Sequence, residues 1–101
     1  MTDNKVITDR EILLEAVRNN VSALEFADDT LMADRKVVLE AVKIFGLALK
    51  FASETLKADR EVVLEAVKDY GDALQYASKE LQNDPELKKL QEDYQSLLRF
   101  E

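Results

Sequence analysis

The chain contains no cysteine, no histidine and no tryptophan, one proline and two glycines. Without cysteine there are no disulfides. Without cysteine and histidine together, the usual zinc and iron–sulfur ligand sets and the common nucleophile–base triads cannot be assembled. Gly46 and Gly71 stand alone, so no glycine-rich phosphate loop is present. No apolar run approaches the roughly 20 residues that span a bilayer. Residues 1–8 lack the basic segment and apolar run of a secretory signal. The absence of cysteine suits a reducing compartment, and the expected location is cytoplasmic. The net charge of −7 provides no basic face for phosphates, so no direct contact with nucleic acid is expected. Neither a membrane nor a cofactor is expected as a ligand.

Leucine, alanine, glutamate and lysine dominate the remainder. At 101 residues, 47% apolar and 35% charged, the chain can build one continuous helical core. Asp9, Asp34, Asp59 and Asp84 are spaced 25 residues apart. The first three open the parallel segments 9–33, 34–58 and 59–83, and the second and third of these are identical at 15 of 25 positions. This is an internal repeat, preceded by a partial repeat tail over residues 1–8 and followed by a divergent segment, 84–101. In that frame Asp3 matches Ser78 and Val6 matches Leu81.

Each repeat reads as helix, break, shorter helix, turn. In the third, the Asp59 carboxylate is an N-cap, and Glu61 lies where the helix dipole favours negative charge. Val62, Val63, Ala66, Val67 and Tyr70 follow helical spacing, and Leu64 widens the apolar arc. Gly71 stands where a left-handed residue commonly ends a helix. A second helix is expected from about Asp72 to Ala77, then a turn capped by Ser78 and carrying Leu81. One long coiled coil is the competing pattern, but the internal caps and the wide apolar arc count against it. In the last segment, Asp84-Pro85-Glu86 is a strong helix start. Leu87, Leu90, Tyr94, Leu97 and Leu98 form a narrower stripe, suited to a capping helix with one face on the last repeat. The expected fold is all-α: a short α-solenoid of helix–turn–short-helix repeats closed by that cap.

The recurring pattern D-R-E-V-V-L-E-A-V-K-x-x-G-x-A-L-x-Y-A-S, carried most fully by Asp59–Ser78, resembles the repeats known as domain of unknown function 4116. The resemblance covers residues 9–83. It departs at Val21, where the pattern has glycine and where Asn20 is expected to take the left-handed conformation instead. The resemblance implies arrays of such repeats, with no catalytic residue and no established partner, so it bears on fold and leaves function open.

No residue pattern points to an enzyme. Glu15, Glu40 and Glu65 recur, each three residues before Arg18, Lys43 or Lys68, as a solvated row of helix ion pairs would. Phe26, Phe51 and Tyr76 recur as packing residues between repeats. The repeats differ in charge: −4 in the first, +2 in the second and −3 in the third. The basic middle repeat also carries Ile44 and Leu47, where the first repeat has Asn19 and Ser22 and the third has Asp69 and Asp72. Two readings of Ile44 and Leu47 stand here: an exposed contact surface, or local packing on the adjacent repeat. On the first, Lys43, Ile44, Phe45, Leu47 and Lys50 form a partner-binding corner. The chain is then a non-catalytic protein–protein interaction module, its partner foreign or a second copy. The alternative is an acidic inhibitor or nucleic-acid mimic that fills the basic cleft of a nucleic-acid-handling enzyme.

Overall fold

A computed structural model of the chain describes residues 7–99. The helix starts follow from the aspartates. Asp9, Asp34 and Asp59 are N-caps of α1 (Arg10–Asn19), α3 (Arg35–Ile44) and α5 (Arg60–Asp69), each accepting two backbone N–H groups of the first turn. Asp84 does the same for α7 (Pro85–Arg99), accepting from Glu86 N at 3.0 Å and Leu87 N at 3.1 Å. Each ten-residue helix ends on an extended residue (Asn20, Phe45 or Tyr70) whose N–H still bonds back to the helix. A 3₁₀ helix follows (Val21–Phe26, Gly46–Phe51 and Gly71–Tyr76), and then a single turn: α2 (Asp29–Met32), α4 (Glu54–Lys57) and α6 (Lys79–Gln82). The breaks expected near Asn20, Gly46 and Gly71 are present. The second element is a 3₁₀ helix, beginning at the glycine in the second and third repeats and at Val21 in the first.

Consecutive repeats stack. Helices α1, α3, α5 and α7 pack in chain order, and each 3₁₀ helix packs on the helix of its own repeat and, in the second and third repeats, on that of the next. The molecule measures 49 × 31 × 17 Å along its principal axes. The buried layer is aliphatic. Val37, Val38, Ala41 and Val42 of α3 match Val62, Val63, Ala66 and Val67 of α5, with Ala48, Leu49, Ala73 and Leu74 from the 3₁₀ helices. Ile12 holds the register of Val37 and Val62 but lies on α1, the first helix of the described stack, and it is 60% exposed. Among the described residues, no helix is long and apolar enough to cross a membrane.

Two links tie one repeat to the next. The backbone link recurs at the short turns: Asp28 N donates to Ile7 O at 2.8 Å, Ser53 N to Met32 O at 3.0 Å, and Ser78 N to Lys57 O at 2.9 Å. Ile7 thus takes the place of a repeat tail, while the matches of Asp3 and Val6 lie outside the described residues. The second link is a ladder of arginines. Arg35 Nε donates to Asp59 Oδ2 at 2.7 Å and its guanidinium also pairs with Glu61. Arg60 Nε donates to Asp84 Oδ2 at 2.9 Å and pairs with Glu86. The first rung is weaker: Arg10 reaches Asp34 at 3.6 Å, and Lys36 replaces the second acceptor.

Bonding to Arg35 holds the Asp59 carboxyl below its ordinary pKa, and bonding to Arg60 does so for Asp84. A depressed folded-state pKa contributes stability above the unfolded value and loses it as pH falls through the folded one. Melting temperature should therefore drop as pH is lowered below about 4, the unfolded carboxyl range. A variant carrying Asp59→Asn and Asp84→Asn should start lower at neutral pH and respond less to acid. An acid dependence as steep as that of the parent would refute the ladder's share.

Two expectations need correction. Gly46 and Gly71 are not left-handed, and neither is Asn20, whose φ is −163°. The glycines are needed for space. A Cβ on Gly46 would stand 2.3 Å from Ala66 O, and one on Gly71 would stand 2.4 Å from Tyr94 Cβ. The cap stripe is also shorter than its spacing suggests. Leu87 is fully buried and Leu90 packs on the core, whereas Leu97 and Leu98 are 68% and 57% exposed. At 15 residues, α7 outruns the ten-residue helix on which it lies.

Candidate functional site

The middle corner is built where α3 gives way to its 3₁₀ helix. Phe45 ends α3 in an extended conformation, and its carbonyl accepts from Ala48 N at 2.8 Å. Phe45 has no side-chain cap to offer the following helix. In the first repeat Asn20 caps its own 3₁₀ helix through Ser22 N at 2.9 Å. In the middle repeat the next repeat supplies an acceptor: Asp69 Oδ2 takes the Gly46 N–H at 2.7 Å.

Beside this bond lies a hollow of about 350 Å³, lined by Phe45, Gly46, Leu47, Asp69 and Tyr70. The repeat register explains the opening. At the first junction the places of Gly46 and Asp69 are taken by Val21 and Ile44, both half-buried against the core. At the last junction Asp69's place is taken by Tyr94. Its ring stands edge-on to Tyr70, centroids 5.7 Å apart and planes at 89°, and Gln95 Nε2 donates to Asp72 Oδ1 at 2.9 Å. At the middle junction only the short Asp69 carboxylate stands in that place, while Gly46 is buried and closely backed by Ala66 O and Tyr70 Cβ. Burial, with a smaller effect from the Asp72 charge, raises the Tyr70 hydroxyl above its ordinary pKa and keeps it neutral.

The predicted corner residues are only partly brought together. Phe45 and Leu47 are half-buried and line the hollow. Lys50 is exposed, with its ammonium 5.8 Å from the Phe51 ring centroid. It stands three residues after Leu47, and in a 3₁₀ helix such residues share one face. Ile44 is half-buried and packs on the core, so it is a less free contact than its polar counterparts Asn19 and Asp69 suggest. Lys43 instead lines a separate groove between α1 and α3 with Arg10, Lys36, Leu14, Leu39 and Glu40.

The glutamate row pairs as expected at Glu15–Arg18, 4.0 Å, and Glu65–Lys68, 3.5 Å. Of the recurring aromatics, Phe51 and Tyr76 pack on the core, but Phe26 is 49% exposed. Asp69 and Tyr70 complete the hollow and were not among the predicted corner residues. No local signal marks them, because they are brought to the corner by the stacking of the following repeat. Among the described residues, no three acidic side chains converge as a metal-ion group and no polar or charged residue is buried.

The family model described as "Domain of unknown function (DUF4116)" matches residues 4–32, 34–82 and 59–89, together nearly the whole described chain. The chain belongs to this family. The overlapping matches agree with the 25-residue register of the DUF4116 repeats seen in the structure. No curated protein and no solved structure matches the chain.

Proposed function

We propose that this chain is a non-catalytic protein-interaction module, a short α-solenoid acting in the cytoplasm, and that its contact surface is the middle corner formed by Phe45, Leu47 and Lys50. The observation that carries the reading is the opening beside Asp69. The equivalent place is filled by Ile44 at the first junction and by Tyr94 at the last. The opening is bordered by apolar side chains in the only repeat with a net positive charge. Covering an apolar side chain of the size of Leu47 contributes on the order of 1.5–3 kcal/mol when burial is complete.

The test is Leu47→Asp. The third repeat has Asp72 at this position and the first has Ser22, so the fold accommodates polar residues there. The variant should keep its helical content and melting temperature. Affinity capture from a source lysate should lose a partner that the parent retains, and the captured partner should resist moderate salt. Equal capture by both proteins would overturn the corner as the contact. Collapse of all capture in salt would favour the acidic-mimic alternative.

A further inference from the structure

We infer that the hollow at Gly46 receives a tyrosine side chain from an acidic segment of the partner protein; this deepens, and rests on, the contact role proposed for the corner. The molecule contains its own template. Tyr70 and Phe45 occupy the same repeat position, each ending a helix just before a glycine. Over Tyr70 lies the ring of Tyr94, edge to face. Over Phe45 the same position holds Asp69, which is too short to cover an aromatic ring and is turned to the Gly46 N–H. An aromatic ring from outside would restore at the middle junction the packing that the chain supplies for itself at the last. Such edge-to-face pairs contribute beyond the area they bury.

Polar groups at the rim select within the aromatics. Asp69 is exposed and has one carboxylate oxygen engaged by the Gly46 N–H, which leaves acceptor capacity for a phenolic hydroxyl. A phenylalanine would leave that acceptor unused. Lys50 shares the face of Leu47, whereas the corresponding positions are Glu25 and Gln75 in the other repeats. Lys43 and Lys36 lie in another groove, Arg35 is engaged by Asp59 and Glu61, and Lys57 pairs with Glu54, so Lys50 is the cation that would pair with carboxylates beside the tyrosine.

The test is an NMR titration of the ¹⁵N-labelled full chain. The probe is an acetylated, amidated peptide with one tyrosine between glutamates. The controls replace the tyrosine by leucine, or the glutamates by lysine. The tyrosine–glutamate peptide should shift the amides of Phe45, Gly46, Leu47, Lys50, Asp69 and Tyr70, and each control should bind about tenfold more weakly, a difference near 1.4 kcal/mol. Asp69→Tyr, which fills the hollow as Tyr94 does at the last junction, should abolish these shifts. Leu47→Asp should weaken them without unfolding the chain. A leucine peptide that binds as tightly overturns the aromatic anchor and leaves the contact role standing. Absent shifts with every peptide also overturn the anchor, and the contact role then stands or falls on whether Leu47→Asp changes partner capture.

Discussion

Replacing Gly46 by alanine should lower the stability of the protein by about 1–3 kcal/mol, the range for overpacked interiors. The added Cβ would lie 2.3 Å from Ala66 O and 2.9 Å from Tyr70 Cβ. The first is backbone in the middle of α5 and the second is fixed to the end of that helix, so neither can swing aside as a long side chain would. Relief requires α5 to back away from the 3₁₀ helix Gly46–Phe51, which loosens the junction that buries Leu49 and Val63. For a domain of this size the melting temperature should fall by about 4–8 °C per kcal/mol. Gly46→Asn separates the two possible reasons for a glycine here. Asparagine tolerates the left-handed conformation, so it would rescue a backbone requirement, but it carries the same Cβ and should be at least as damaging as alanine. Thermal melts of the two variants decide: a stable Gly46→Asn protein would contradict the close-approach account.

Removal of residues 84–101 should have the largest effect on the fold. The cap helix buries Leu87 completely and packs along the 3₁₀ helix Gly71–Tyr76 and on α5. Without it Tyr70 loses the Tyr94 ring, and Arg60 loses both Asp84 and Glu86. Burial of Leu87 alone contributes roughly 1.5–3 kcal/mol and the ring pair roughly another 0.5–1.5. Domains of this kind have only about 5–15 kcal/mol in total. The truncated chain should therefore melt at least about 10 °C lower and should aggregate as the apolar face of the third repeat meets water. Light scattering and a thermal melt are sufficient. A truncated chain as soluble and heat-stable as the parent would show that the third repeat closes the stack unaided.

What could be read from the sequence was what local chemistry writes into it. An aspartate before a helix, with an apolar stripe following it, has the same consequence in every context, so the starts at Asp9, Asp34, Asp59 and Asp84 and the buried faces of α3 and α5 were legible. Features that depend on the neighbouring repeat were not. The arginine ladder joins residues 24 and 26 apart, and no helix or turn rule connects them; Arg10, Arg35 and Arg60 simply follow the capping aspartates. Each glycine follows a helix end, which in the sequence reads as a backbone need, whereas the need comes from the next helix pressing on it. Leu97 and Leu98 keep helical spacing in the part of α7 that outruns the ten-residue α5, where both are exposed. The corner was legible as a difference in composition between repeats. Its geometry was not, because Asp69 and Tyr70, which complete the hollow, come from the repeat after the one that stood out.

The central claim, that the middle corner is the contact surface, is tested most directly by amide hydrogen exchange of the full chain, alone and with the partner it captures. The amides of Phe45–Leu47 and Asp69–Tyr70 should exchange about tenfold more slowly or better in the complex, a change of at least 1.4 kcal/mol in local opening. Residues 21–29 of the acidic first repeat should be unaffected. Protection confined to residues 21–29, with none at Phe45–Leu47, would contradict the claim.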